Sequence, residues 1–282
     1  MEVKTNLNQE VIDLGHDKKV FIFLHIPKAG GTTLNGIINQ QYKKTDIFRF
    51  NGINNRRCIN EVEPQRRISI QLIRGHFAFG LHQYITCDSV YFTFLRDPIK
   101  REISHYHYLC RSPNLKQHSI VKKQTLKEYI LSTEGNLQTR MIYGNSCTKD
   151  DPSKGVLEVA KENLEKYFTV VGIVERFDES LVVLQHSLGW KTTVYRKQNK
   201  TNIRQTKSCQ ITPEVLNLIQ NKNSIDIELY KYANTKLDQQ IEDLGDRFKD
   251  LMNTHKRINY LYQPFGYAYN AFRSLILNHL HD

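Results

Sequence analysis

The chain has 282 residues, of which 39% are apolar and 24% are charged. This is the composition of a globular protein, and it excludes a disordered, collagen-like or disulfide-stapled chain. Forty lysine and arginine residues against 29 aspartate and glutamate residues give a formal net charge of +11. Such an excess favours an anionic ligand, substrate or surface, without saying which.

The five cysteines are odd in number and form no Cys-x-x-Cys pair, which favours reduced thiols in a reducing compartment. Residues 1–19 have neither the basic nor the apolar segment of a signal peptide. No apolar run approaches the ~20 residues that cross a bilayer. We therefore expect a cytoplasmic protein without a membrane span.

The first strong pattern is the apolar run Val20–His25, which predicts a strand that is buried on both faces. Pro27 ends it, Gly30 and Gly31 form a turn, and the apolar stripe that follows predicts a helix over Thr32–Tyr42. The polar stretch Lys43–Gln65 has no clear periodicity and is predicted to be an irregular insertion.

Further strands are predicted over Ile68–Arg74, Val90–Leu95 and Phe168–Val174. Between them, a helix is expected from Pro98 to about Leu109, and residues 125–167 are helical in pieces that break at glycines and at Asp151-Pro-Ser153. Another helix, Phe177–Leu188, is closed by Gly189. Strands that alternate with helices predict an α/β fold with a central parallel sheet flanked by helices.

The C-terminal third changes to a helical pattern, with helix starts predicted at Thr212-Pro213-Glu214 and at Ser224. From Tyr230 onward, apolar residues at heptad spacing predict one long helix; these are Leu237, Ile241, Leu244, Phe248, Leu251 and Ile258. Because Asn234 and His255 interrupt this stripe, packing on the same chain is favoured over a coiled-coil homo-oligomer. We expect one domain with a core over about residues 18–210 and a helical extension over about residues 211–282.

The most informative segment is the loop His25-Ile-Pro-Lys-Ala-Gly-Gly-Thr-Thr-Leu34, which lies between a buried strand and a helix. Backbone N–H groups here can point at one anion, aided by the helix dipole and by the charge of Lys28. The loop differs from the nucleoside triphosphate P-loop, Gly-x-x-x-x-Gly-Lys-Ser/Thr, because its lysine precedes the glycines. An ordinary Mg²⁺-dependent NTPase is therefore disfavoured.

A second segment, Phe94-Leu-Arg-Asp-Pro-Ile-Lys-Arg-Glu-Ile-Ser-His-Tyr106, follows the third predicted strand. Arg96 offers a planar fork of donors suited to phosphate, and Ser104 lies two helical turns further on. Taken alone, Arg96 and Asp97 read more simply as a structural ion pair, with Asp97 positioning Arg96 or capping the helix. Beside the first loop, the phosphate interpretation is favoured.

Together the two segments resemble the sulfotransferases that use 3′-phosphoadenosine 5′-phosphosulfate (PAPS), in particular the carbohydrate type that includes the heparan sulfate 2-O-sulfotransferases. The resemblance covers about residues 20–235, without the insertion, and implies a P-loop-like core. It assigns the 5′-phosphosulfate loop to five residues besides Lys28, and the 3′-phosphate to Arg96 and Ser104. The five are Ala29, Gly30, Gly31, Thr32 and Thr33.

More loosely, the strand and helix over Phe168–Leu188 and the segment Asn136-Leu-Gln-Thr-Arg140 resemble later parts of that family. The segment Tyr195-Arg-Lys-Gln-Asn-Lys-Thr201 lies where relatives place a basic loop over the nucleotide. By this resemblance Arg196 and Lys197 are candidate nucleotide ligands, although an exposed basic turn explains them about as well.

Sulfuryl transfer needs a base for the acceptor hydroxyl and a cation for the leaving oxygen. Lys28 is the predicted cation. His76, in Arg74-Gly-His76 directly after a predicted strand, is the predicted base. Relatives carry His-Gly-His here, so Arg74 is a departure that leaves His76 as the remaining candidate in the motif, for either base or substrate contact. Other histidines that could approach the site are His25, His82, His105 and His107.

The predicted function is therefore transfer of a sulfuryl group from PAPS to a hydroxyl of a saccharide, giving adenosine 3′,5′-bisphosphate (PAP), with no metal, nucleic acid or membrane partner. Basic pairs that would suit an anionic acceptor, or simply be solvated, are Arg56-Arg57, Arg66-Arg67 and Lys122-Lys123. Two alternatives stay open: a nucleotide or small-molecule kinase on a P-loop fold, and a non-catalytic protein that binds polyanions.

Overall fold

Five short strands form one sheet, and neighbouring strands are parallel throughout, in the order β2-β3-β1-β4-β5. The computed structural model describes residues 12–15, 18–51, 62–144, 155–196 and 211–279, with side chains described up to residue 263 except at residue 51. The predicted α/β fold with a parallel sheet is confirmed. The strands are β1 (Lys19–Leu24), β2 (Ile47–Asn51), β3 (Leu72–His76), β4 (Asp88–Leu95) and β5 (Phe168–Ile173).

Helices cover the sheet and extend the chain beyond it. In the ranges that the structure describes, no helix combines the length and the apolarity needed to cross a membrane. The helices are α1 (Gly31–Gln41), α2 (Pro64–Ser69), α3 (Pro98–Arg111), α4 (His118–Val121), α5 (Leu126–Ser132), α6 (Leu137–Tyr143), α7 (Val156–Tyr167), α8 (Phe177–Leu188), α9 (Pro213–Lys222), α10 (Ser224–Leu244) and α11 (Asp246–His279).

The core explains why the apolar runs form central strands. Ile22, Phe23 and Leu24 of β1 are fully buried, as a strand covered on both faces requires. Leu229 and Leu237 of α10 are fully buried in the same hydrophobic cluster. Helix α10 thus packs on the sheet, and the division of one domain near residue 210 stays a prediction.

Two sequence predictions between β1 and β4 are wrong. Residues Pro64–Ser69 form helix α2, with Pro64 in the first turn, and the strand predicted over Ile68–Arg74 instead spans Leu72–His76. The segment Lys43–Gln65 is not wholly irregular, because Ile47–Asn51 forms the edge strand β2 beside β3. A five-residue edge strand with an exposed arginine at its centre has too weak a pattern to detect.

The predicted single long C-terminal helix is also wrong, because Gly245 divides it into α10 and α11. This glycine has φ 53° and ψ −131°, a conformation outside the helical region. Ile241, Leu244 and Phe248, which have heptad spacing, pack against the chain's own core. The favoured intramolecular packing is therefore found, while a homo-oligomer through these helices stays a prediction.

Candidate active site

The candidate site lies where the direction of the sheet order reverses. From β1 the chain first builds β2 and β3 on one side, and then β4 and β5 on the other. Ligands of open parallel sheets bind at the carboxyl ends of the strands beside such a switch. The loop after β1 and Arg96 after β4 flank this point, since β1 and β4 pair directly.

The loop after β1 leaves the first turn of α1 open to a ligand. Gly30 is the N-cap of α1 with φ 76°, and no side chain caps the helix. The first N–H groups of a helix, here those of Gly31, Thr32 and Thr33, have no intrahelical acceptor. A Cβ at Gly30 would lie 3.2 Å from the Phe177 ring, so the backbone packs closely against α8.

Lys28 places a positive charge at this loop. Its backbone has a left-handed φ of 69°, and its Nζ lies 4.3 Å from the centroid of the Tyr108 ring. Burial is the main cause that lowers the pKa of Lys28, and the nearby charges of Arg96 and Arg111 lower it further. Because Arg96 and Arg111 lie near enough to Lys28 to lower its pKa, an anion bound among these three cations would reduce their mutual repulsion.

Arg96 joins the second motif to the loop. Its Nη1 donates a hydrogen bond to the carbonyl oxygen of Lys28 at 3.1 Å. The Gln138 amide holds the backbone of Arg96 on both sides, accepting from its N–H at 2.9 Å and donating to its C=O at 2.8 Å. Arg96 Nε is buried and finds no hydrogen-bond partner among the residues described.

Asp97 acts as a helix cap. Its Oδ1 accepts a hydrogen bond of 2.8 Å from the N–H of Lys100, in the first turn of α3. Its own N–H donates to Glu175 at 3.2 Å, and Glu175 also accepts from the Tyr230 hydroxyl at 3.0 Å. Of the two roles considered for Asp97, the structure supports capping.

Asp226 of α10 fixes the backbone of Gln138 through hydrogen bonds. This fully buried carboxylate accepts from the N–H of Gln138 at 3.1 Å and from the N–H and hydroxyl of Thr139 at 2.7 Å each. It thereby caps α6, whose N-cap residue Asn136 makes no side-chain cap of its own. A chain of hydrogen bonds thus runs from α10 through Gln138 to Arg96.

His76 ends β3 at the same edge of the sheet. Its Nδ1 lies 2.7 Å from the carbonyl oxygen of His25. Because a carbonyl can only accept, Nδ1 carries the proton, and in the neutral ring Nε2 keeps a free lone pair. The His76 side chain is exposed, so a proton donor bound at this end of the sheet can reach this lone pair.

Arg74, the departure in the Arg-Gly-His segment, serves the scaffold. It is buried, and its guanidinium donates to the Asn35 carbonyl at 3.3 Å and to Asn39 Oδ1 at 3.0 Å, both on α1. Burial, with Arg49 nearby, lowers its pKa to about 10. Arg74 therefore ties β3 to the helix that follows the loop.

The remaining predicted residues are less closely joined to this centre. Ala29 is buried, Thr32 exposed and Thr33 half-buried on the loop, and Ser104 is half-buried on α3. No hydrogen bond joins Ser104 to Arg96 within the described chain. Arg196 is half-buried, and Lys197 lies outside the described residues.

The other candidate histidines differ in position. His105 contacts Tyr129 at 2.7 Å, and burial, Arg101 and Lys28 lower its pKa to about 4. His82 contacts Tyr91 instead and is hydrogen-bonded there at 3.1 Å. His107 is buried, with its ring 5.5 Å from Tyr106.

Comparison with known proteins decides the family. A model described as the sulfotransferase family matches residues 14–233, well over half of the chain. The chain belongs to the sulfotransferase family. The resemblance inferred from the glycine loop and the Arg96 segment is thereby confirmed.

Individual relatives of this sulfotransferase are distant. Heparan sulfate 2-O-sulfotransferase 1 of Gallus gallus is 23% identical over 261 residues, covering 80% of this chain and 72% of its own. Heparin sulfate O-sulfotransferase of Drosophila melanogaster is 25% identical over 219 residues, covering 67% of this chain and 62% of its own. The solved mouse sulfotransferase SULT7A1, complexed with PAP, matches at 14% identity with a TM-score of 0.37 over 76% of this chain and 67% of that one.

Three residues of the sulfotransferase site were not assigned a role from sequence. Gln138 clamps Arg96, Asp226 caps the helix of Gln138, and Tyr108 lies against Lys28. The segment around Gln138 could be recognised as a helix start, but nothing in it shows that its amide reaches a strand end 42 residues earlier. Among the described residues, no cluster of three or more His, Cys, Asp or Glu could hold a metal ion.

Proposed function

We propose that this sulfotransferase moves a sulfuryl group from PAPS to a hydroxyl group of a saccharide and releases PAP. Family membership supports the reaction, and the names of the heparan sulfate relatives support the acceptor class. The observation that carries the proposal is the Arg96–Lys28 contact, which joins the two segments that we propose to bind phosphate.

The residues at this edge fit a nucleotide with two phosphate positions. Gly30 and Gly31 leave the helix start free of side chains, and its N–H groups suit one anionic group together with Lys28. Arg96, with its buried Nε lacking a partner in the described chain, suits a second anion together with Ser104. Arg196 and Lys197 would extend this site.

PAPS supplies an activated sulfuryl group on a phosphate leaving group. His76 Nε2 takes the proton of the acceptor hydroxyl as the hydroxyl oxygen bonds to sulfur. The bond from sulfur to the phosphate oxygen breaks, and the Lys28 ammonium stabilises the negative charge left on that oxygen. Proton, sulfuryl group and charge are thus all assigned, with no metal in the step.

An anionic saccharide is the acceptor that the surrounding charge favours. Exposed Arg49 on β2 lies beside Arg74 in the sheet, two residues before the position that pairs with His76. By contrast, the Arg66-Arg67 pair lies in α2, which directly precedes β3. It is therefore near the amino ends of the strands, opposite to the candidate site. Arg49 is therefore a better candidate for an acceptor contact than that pair.

The test combines binding and transfer. Titration calorimetry with PAP should show binding that Lys28→Ala weakens about 10- to 100-fold, the loss expected for one charged hydrogen-bonding group. Lys249→Ala, which removes an equal charge from an exposed ion pair, should bind like the wild type. Incubation with PAPS and O-desulfated heparan sulfate should add sulfuryl groups, detected by mass spectrometry. Preference for Mg²⁺-ATP over PAP, with phosphoryl transfer, would replace this proposal with a kinase.

A further inference from the structure

The ring of His25 lies at the centre of the proposed site, where it contacts both the phosphate loop and His76. Its centroid is 4.2 Å from that of His76 with an angle of 32° between the planes, and 5.2 Å from that of Phe23 with an angle of 17°. Phe23 is fully buried in β1, so the His25 ring rests on the rigid part of the sheet. His76, at the exposed end of β3, has the His25 ring as its neighbour.

On the loop side, the His25 ring occupies the space that a side chain at position 31 would need. A Cβ at Gly31 would lie 1.6 Å from His25 Nε2 and 2.1 Å from Cε1, far inside van der Waals contact. Gly31 begins α1 and supplies one of the N–H groups proposed to hold the donor. The glycine and the imidazole are thus complementary in shape.

The backbone of His25 contacts the base as well. Its carbonyl oxygen accepts the Nδ1–H of His76 at 2.7 Å, which selects the tautomer that leaves Nε2 free. One residue thus sets both the ring plane of His76, through its side chain, and the tautomer, through its backbone.

The electrostatic surroundings keep the His25 ring neutral. Burial is the main cause that lowers its pKa to about 3, and His76, Arg74 and Lys28 each lower it further. A neutral ring matters here, because a second cation in contact with His76 would oppose the positive charge that His76 gains when it accepts a proton.

We propose that His25 is a positioning residue. Its neutral ring fixes the position of the base His76 relative to Gly31 of the phosphate loop. This inference rests on the proposed function, since it assigns His76 as the base. His25 itself exchanges no proton with the substrate. Its contribution is to the orientation of His76, and a misplacement of about 1 Å can cost on the order of 10²-fold in rate.

Three variants of His25 separate shape from charge. His25→Ala removes the ring, and we expect kcat to fall on the order of 10²-fold while PAP affinity changes little. His25→Gln keeps a neutral planar group of similar reach and should restore most of this loss. His25→Lys has a similar reach but adds a charge, and should be at least as slow as His25→Ala. His82→Ala removes another partly buried histidine, whose ring lies 4.6 Å from that of Tyr167, and should leave kcat unchanged.

A spectroscopic readout tests the same arrangement without an acceptor. In ¹⁵N-histidine-labelled protein, the signals of His76 are those that disappear in His76→Ala. In the wild type these signals should show the Nδ1–H tautomer. His25→Ala keeps the backbone carbonyl but removes the ring that fixes the plane of His76, so the hydrogen bond from Nδ1–H should form only part of the time and the tautomers should average. His25→Gln should not show this averaging. In addition, Gly31→Ala should abolish PAP binding in the wild-type background and be partly rescued by His25→Ala, because the colliding ring is gone.

The outcomes distinguish this inference from the proposed function. Unchanged kcat and an unchanged His76 tautomer in His25→Ala would overturn the positioning role. A His25→Gln variant as slow as His25→Ala would assign direct chemistry to the imidazole nitrogens and also overturn it. If the wild type transfers no sulfuryl group, the proposed function fails, while the nitrogen spectra and the Gly31 rescue still decide whether His25 holds His76. If His25→Ala does not fold, the comparison of His25→Gln with His25→Lys decides the question.

Discussion

The guanidinium of Arg96 donates a hydrogen bond to the backbone carbonyl of Lys28, 68 residues earlier in the chain. This contact joins the ends of two adjacent parallel strands, so that each proposed phosphate site helps to shape the other. In the proposed site, Arg96 would therefore bind one anion and also fix the loop that binds the other.

Replacing Arg96 should therefore affect both parts of the nucleotide site. We expect Arg96→Ala to weaken PAP binding by more than Lys28→Ala does, because it removes a charged donor and releases the loop carbonyl. The loss should exceed about 10- to 100-fold, the range for a single charge-assisted hydrogen bond of roughly 1.5–3 kcal/mol. Arg247→Ala, at an exposed position of α11, removes the same charge and should bind PAP normally. Equal affinities for the two variants would contradict the assignment of Arg96.

The pH dependence of PAP binding should report on Lys28. Burial and two neighbouring arginines lower the pKa of Lys28, so its proton is lost at a lower pH than that of an exposed lysine. Because an anion binds the protonated form, PAP affinity should fall as the pH rises through this lowered pKa. Lys28→Arg, which stays charged, should show a flatter profile in calorimetry over the same range. Parallel profiles for the two proteins would show that another group titrates.

Removing the imidazole of His76 should separate catalysis from binding. We expect His76→Ala to lower kcat by about 10²- to 10⁴-fold, the usual contribution of a general base, with PAP affinity close to that of the wild type. His186→Ala, an exposed histidine near the end of α8, is the matched control and should keep full activity. A kcat that survives in His76→Ala together with a raised acceptor KM would make His76 a substrate contact instead of the base.

Stability should depend strongly on Asp226. Asp226→Ala leaves the N–H groups of Gln138 and Thr139 without their acceptor in a buried place, which we expect to lower the free energy of unfolding by about 3 kcal/mol. Urea titration followed by circular dichroism measures this. The control Asp238→Ala removes a largely exposed partner of Arg176 and should cost no more than about 1 kcal/mol. Since Gln138 holds Arg96, folded Asp226→Ala protein should also bind PAP more weakly, whereas Asp238→Ala should not.

Much of the fold could be predicted because its central strands are strongly patterned. β1 and β4 are continuous apolar runs, and α8 was predicted with its observed bounds and its closing Gly189. β2 was missed because an edge strand needs to bury only one face, and its alternation over five residues is weak. The break at Gly245 was missed because a heptad pattern continues across it, and one glycine alone rarely decides where a helix ends.

The candidate site was predictable as far as its chemistry is local in sequence. The loop from His25 to Thr33 and the segment from Arg96 to Ser104 each contain their own spacing signal. The hydrogen bonds of Gln138 and Asp226 join residues that are 42 and 88 positions apart, and no local pattern encodes such a pair. The same holds for the contact between His25 and His76, which exists because β1 and β3 are neighbours in the sheet.

The steric fit between Gly31 and His25 also constrains how such a loop can diverge. Any residue other than glycine at position 31 places an atom inside the imidazole, so a larger residue can be accepted there only after position 25 has lost its ring or redirected its side chain. The reverse change, a histidine arriving at position 25, needs a glycine already present six residues later. Across an alignment of relatives, these two positions should therefore covary, and intermediates that carry both large residues should be missing.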